Sequence, residues 1–216
     1  MEVSPSLPLL LPLLLPRHGE STRLLVGASE LVLESVRGGH SLLWSDGRQA
    51  RRYSLGLTAQ GRLVLQLCAP RLPLRVIARD AIAIVPGGRL SAYLQIPLVP
   101  TLHWCTPAGE RLRLIELAPA DLQAEWDEAA GHCFRVPAAL HVRFPMRSGE
   151  PKVVIPVRLH NGGATMLSPD FLPLNLRDEE LLEKRGSIVV APRRLQWVGD
   201  QFLDPSRAPA TSESWQ

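Results

Sequence analysis

Between residues 90 and 98 the even positions Leu90, Ala92, Leu94, Ile96 and Leu98 are apolar, and Ser91, Tyr93, Gln95 and Pro97 alternate with them. A period of two sends side chains to two faces, so a half-buried strand is predicted. The preceding residues from Leu74 are also strand-like, and Pro86-Gly87-Gly88 offers a turn, because proline presets one corner φ and glycine accepts a positive one. Residues 74–98 are therefore expected to form a hairpin. A second hairpin is expected where Leu140, Val142, Phe144 and Met146 alternate outward, a turn spans 148–151, and Val153, Ile155, Val157 and Leu159 return. Ile96-Pro97-Leu98 and Ile155-Pro156-Val157 occupy comparable points of the two returning strands. Proline donates nothing to a ladder, so both strands are expected at edges or with the proline on a solvent-facing hydrogen-bonding side. The repeated plan suggests two similar lobes.

Shorter strand-like runs cover 23–26, 30–34, 41–45, 51–57, 62–68, 111–117, 188–191 and 194–198. Asp46-Gly47 is a two-residue hairpin signal. One or two short helices are predicted. Residues 119–131 begin with Pro119, carry Asp121 in the first turn and place Leu122, Trp126 and Ala129 on one face. Residues 175–184 start at Asn175 as a cap. In the leader, residues 1–19, Pro8, Pro12 and Pro16 break the leucine run well short of the ~20 residues of a membrane span. Glu2 also stands where a signal peptide carries basic residues, so the leucines are expected along an edge or groove of the fold. Residues 99–109 read as the exit from a first sheet system. The expected organisation is a Pro/Leu-rich leader at 1–19, an N-terminal β lobe at 20–108, a C-terminal β lobe at 109–204 and a disordered tail at 205–216. The fold class is all-β, with two sandwich-like lobes carrying similar hairpins and one or two short helices.

Composition agrees with a folded core, since 216 residues with 45% apolar content can bury one without disulfides. Only Lys152 and Lys184 among the 24 basic residues are lysines, a bias that GC-rich codons explain. With 5% aromatics and 21 acidic residues, the chain lacks the basic, aromatic-interleaved surface of a single-strand binder, and no nucleic-acid partner is expected. Cys68, Cys105 and Cys133 cannot all pair and form no C-x-x-C motif, which points to a reducing, cytoplasmic setting.

The densest reactive group is His103-Trp104-Cys105 with His132-Cys133. On a strand His103 and Cys105 share a face, and His132 or Cys133 would complete the three ligands of a catalytic zinc, although the spacing matches no ligand motif. No cofactor is expected. Cys133 and His132 are adjacent, so on an extended chain they point apart and do not form a nucleophile and its base. Glu125, Asp127 and Glu128, like Asp178 to Glu180 and Glu183, fall on the predicted helices as solvated faces. Arg75, Arg79, Arg89, Arg143 and Arg147 lie at odd, outward positions that suit an acidic protein or an anionic ligand.

The run LVLQLCAPRLPLRVIARDAIAIVPGGRLSAYLQIPL, the glycine-punctuated β region before it and the later VVIPVRLHNGG resemble an uncharacterised prokaryotic family, domain of unknown function four-three-two. The likeness runs over roughly residues 20 to 200 and departs from the family in lacking an aromatic-rich segment between the lobes. It implies a β-rich fold and brings no catalytic residues. These features lead to the expectation of a non-enzymatic binding or assembly module, acting through edge strands and arginine-bearing faces on a protein partner or a second copy. The alternatives are a small-ligand or metal-dependent enzyme with a cleft near His103, Cys105 and His132, and an adaptor for a membrane protein.

Overall fold

Strand pairing in the computed structural model, which describes residues 9–56, 61–127, 131–145, 150–199 and 201–203, makes the chain all-β and divides it into two compact units. The first takes Met1–Ala69 and Leu98–Ala120, and the second takes Pro70–Pro97 and Asp121–Gln216. The units are thus interleaved in sequence, and no boundary falls at residue 108.

In the first unit, β1 (Leu10–Leu13), β6 (Arg62–Cys68), β9 (Val99–Cys105) and β10 (Arg111–Glu116) form one antiparallel sheet in that order. A meander of β2 (Ser21–Val26), β3 (Ser29–Val36), β4 (Gly39–Ser45) and β5 (Ala50–Gly56) forms the other. Their inner faces share one core, in which Leu31, Leu42 and Trp44 of the meander meet Leu63, Leu65 and Leu102. Tyr53 joins the two sheets by donating from Oη to the Leu114 carbonyl, 3.3 Å away, at a bulge in β10. The leader supplies an edge strand as expected, with Pro12 opposite Val64. Residues 99–105 do not leave the sheet. They are its interior strand β9, between β6 and β10.

The Asp46-Gly47 turn closes β4 on β5. Asp46 Oδ1 accepts from the backbone nitrogens of Gln49 and Arg48 at 2.9 Å each, and these bonds hold its carboxyl below the ordinary range. Where β4 begins, Gly39 has a φ of +153° and its missing Cβ would collide with the Gly56 carbonyl, so any side chain there is excluded.

The second unit contains two further sheets. In one, β11 (Gln123–Asp127), β12 (Gly131–Ala138), β7 (Leu74–Ala78) and β14 (Leu172–Leu174) follow in that order, with β12 and β7 parallel. The other is centred on β13 (Lys152–Asn161). Along one side β13 pairs with β8 (Arg89–Pro97), antiparallel, from Lys152↔Pro97 to His160↔Arg89. On the other it pairs first with β16 (Ser187–Val189) and then with β17 (Arg193–Val198), which carry β15 (Leu182–Lys184) and β18 (Gln201–Leu203) outside them.

Neither expected hairpin is present. β7 joins β12 and β14 and does not turn back on β8, because ten residues separate them and Ile84 bridges instead to Leu167. The two returning strands, β8 and β13, pair with each other. Within residues 140–145 only His141 pairs, through one bridge to Tyr93, and Val142 and Phe144 are exposed. Met146, Arg147 and the turn at 148–149 lie outside the described residues, as does the tail. The predicted helix at 119–131 is instead strand β11, since pairing with β12 over five residues outweighs a weak local helix preference. At 175–184 only Asp178–Glu180 is helical, as one 3-10 turn. Among the described residues no helix is long and apolar enough to cross a membrane.

The prolines explain how β13 holds an interior position. Tyr93 exchanges both backbone bonds with His141, at 2.8 and 2.9 Å, so its polar groups face away from β13. Its opposite number Pro156 must then face away from β8 too, and its nitrogen falls in the gap between the β16 pairing, which ends at Val154, and the β17 pairing, which starts at Val157. Pro97 shares the outward phase of Tyr93, so its missing N–H also costs no ladder bond.

Asn161 ends β13 fully buried. Its Nδ2 donates to the carbonyls of Ile84 and Thr165 at 2.8 Å each, and its Oδ1 accepts from Gly163 N at 2.9 Å. Its backbone exchanges bonds with Gly88 O, at 3.0 Å, and Gly87 N, at 2.8 Å. The Pro86-Gly87-Gly88 turn is thus fastened to β13. Replacing Asn161 by Leu strands three backbone partners, of which the Ile84 carbonyl is buried and the other two part-buried, and is expected to cost roughly 3–5 kcal/mol in urea unfolding, and Asn161→Asp, which sets carboxylate oxygens against two carbonyls, at least as much at pH 7. A loss below about 1 kcal/mol for both would contradict this role.

Candidate functional site

On a strand, residues two apart share a face, so Gln123, Glu125 and Asp127 of β11 all project to one side. Register places Cys133 opposite Glu125 and Arg75 opposite Arg135, which brings Arg75 and Cys133 to that same side. There Arg75 Nη1 lies 2.9 Å from Asp127 Oδ2 and 3.3 Å from Glu125 Oε1, and its guanidinium sits 4.1 Å above the Phe171 ring. The trio carries two negative charges against one positive. Arg75 Nε is buried with no hydrogen-bond partner. A cavity of about 250 Å³ opens beside the cluster, bounded by Arg75, Asp127, Cys133, Phe171, Asn175 and Phe202.

The Cys133 thiol is fully buried, with Sγ donating to Glu125 Oε1 at 3.9 Å. Burial pushes its pKa up, the Glu125 charge adds to that, and Arg75 only partly opposes it. Near neutral pH it is a thiol, not a thiolate, and therefore a poor nucleophile. The cavity wall is held from behind. Arg193, buried, pairs with Glu180 Oε2 at 2.7 Å and donates to the Asn175 carbonyl at 3.5 Å, and Glu180 Oε2 also accepts from Arg177 N at 3.0 Å.

The residues first suspected of metal binding are not gathered here. His103 and Cys105 share a face of β9 as predicted and line a separate cavity of about 230 Å³ with Leu10, Pro12, Arg62 and Arg111 in the first unit. His132 belongs to β12 in the second unit, on the face opposite Cys133, where its ring packs edge-on against Trp126 at 4.8 Å. Among the described residues no three His, Cys, Asp or Glu side chains come together to hold a metal ion. Arg75, expected on an outward face, is instead engaged by Glu125 and Asp127. Those two carboxylates were hidden by the helix reading, which separates i and i+2 to different faces, whereas a strand unites them. No protein-family model, curated protein or solved structure matches the chain.

Two outcomes follow from this geometry. Because the folded Cys133 thiol titrates above its unfolded value, its contribution to stability is complete below about pH 8.5 and is lost as pH rises through the folded pKa. Cys133→Ala should flatten the alkaline decline of the urea midpoint, and an identical decline in the variant would contradict the assignment. Arg75→Met leaves two half-buried carboxylates uncompensated and should cost about 2 kcal/mol in the same measurement, with part of the loss recovered by Glu125→Gln.

Proposed function

We propose that the chain is a non-enzymatic binding or assembly module that takes up an extended protein segment along the edge of β11. The observation that carries this reading is the free edge itself. Among the described residues β11 pairs only with β12, and the backbone phase of its outer side follows from the neighbouring strand. Phe134 N donates to Pro73 O at 2.8 Å, so Phe134 faces β7, and its opposite number Ala124 must face outward, as must Trp126. An incoming strand would meet those donors and acceptors and continue the sheet.

The side chains favour a protein partner. Trp126 is 67% exposed, held at an angle by His132, and large aromatic side chains of this kind supply the anchors of protein interfaces. On the other face the Arg75 cluster fixes Glu125 and Asp127, and exposed Arg135 lies beside them, so a partner would read alternating faces. Catalysis is less well supported, because the buried thiol stays protonated and both nearby carboxylates are engaged by Arg75.

The test combines light scattering over a range of concentrations with pull-downs, for the native chain and for Trp126→Ala and Ala124→Pro. The proline removes one outward N–H while sparing the β11–β12 ladder. Self-association or a captured partner that either substitution weakens roughly tenfold is expected. A strict monomer with no partner, or association indifferent to both substitutions, would refute the proposal.

A further inference from the structure

A second cavity of the same unit, about 160 Å³, lies where β7 and β12 end alongside the outer edge of β8. Arg79 follows β7 there, its backbone nitrogen bonded to the Ala138 carbonyl at 3.0 Å, and Asp121, His141 and Lys152 also line the space. His141 is fixed by its two backbone bonds to Tyr93. Lys152 opens β13 opposite Pro97, its side chain 22% exposed, with Nζ 3.0 Å from a Glu150 carboxylate that is itself 72% exposed. Neither the Arg79 guanidinium nor the Asp121 carboxylate has an ion-pair partner among the described residues, although both border this one cavity. Opposite charges that share a cavity without meeting leave room for a ligand that carries both signs.

The chemistry of the walls narrows the class further. Pro97 and Pro137 have no backbone N–H, so at those two positions recognition of an anion falls to side chains, Arg79 and Lys152. A pure anion would be opposed by Asp121, and a pure cation by Arg79 and Lys152. The volume of about 160 Å³ is below the roughly 300–1,000 Å³ of drug-sized sites and equals about five waters at roughly 30 Å³ each. We propose that this cavity binds a small zwitterion of the α-amino-acid class, glycine or alanine in size, with its carboxylate on Arg79 and Lys152 and its ammonium on Asp121. The carboxylate displaces the exposed Glu150 side chain from Lys152, and His141 borders the bound carboxylate or the α-substituent. This site is separate from the β11 edge, and the two stand or fall independently.

Calorimetric or NMR titration of the full chain with glycine, acetate and methylamine tests the proposal. Glycine should bind, with acetate and methylamine each roughly tenfold weaker or worse. Arg79→Met and Asp121→Asn should each weaken glycine about tenfold while the melting temperature stays within about 2 °C, as expected for substitutions that remove no buried pairing. Acetate binding as tightly as glycine would make this a simple anion site and overturn the proposal. So would spectra unmoved by glycine, or unchanged glycine affinity in both variants. If a variant melts well below the native chain, the native comparison of glycine with acetate and methylamine decides alone.

Discussion

The second unit hangs on one buried side chain. A primary amide offers two donors and an acceptor in a fixed plane, and Asn161 spends all of them on backbone groups, two in the turn just after it, at Gly163 and Thr165, and one at Ile84, 77 residues away. An unpaired amide in that position would be heavily penalised, so the arrangement is all or none. Because Asn161 is the last residue of β13, fastening it sets the end of the central strand and the start of β8 together. Register along β8–β13 then runs unbroken for nine pairs, burying Leu94, Ile96, Ile155 and Leu159.

That register has consequences away from the clamp. It turns the outer side of β8 toward His141 and puts Pro97 at the lip of the small charged cavity, and it moves the nitrogen of Pro156 into the one interval where β13 changes partner. A proline in an interior strand is ordinarily excluded, and here it is accommodated because no donor is wanted. The other sheet of the unit solves a different problem, the placing of charge on a half-buried face. One arginine pairs with both Glu125 and Asp127 beside a buried thiol whose pKa is raised. Two carboxylates against one guanidinium leave that face with a net negative charge.

Alternation makes β8, β13 and β6 readable as strands without knowledge of their pairing, and the Asp-Gly turn and the proline-broken leader edge are legible for the same local reasons. Partner choice is not. The likeness of Ile96-Pro97-Leu98 to Ile155-Pro156-Val157 suggested two equivalent hairpins, yet the two strands face each other in one ladder, and both carry inward apolar residues because they serve a common core. The interleaving of the units was hidden as well, since the almost continuous extended run through Arg89–Pro97 and Val99–Cys105 changes unit at Leu98 with no break in pattern. The candidate site was obscured by one mistaken period. Pro119, Asp121 and the spacing of Leu122 and Trp126 imitate a helix, and on a helix Glu125 and Asp127 never share a face. Gly131, with a φ of +73° at the start of β12, was the residue most in keeping with a strand reversal there, but it also suits a helix terminus.

Native-state hydrogen exchange tests the central claim most directly. If Asn161 fastens the unit, the amides of Gly87, Asn161 and Gly163, although they lie in turns or at a strand end, exchange only by global opening and are as protected as Leu94 and Ile155 in the β8–β13 ladder. Exchange of those three amides at rates close to that of Arg48 in the exposed Asp46 turn, with Leu94 still protected, would contradict it.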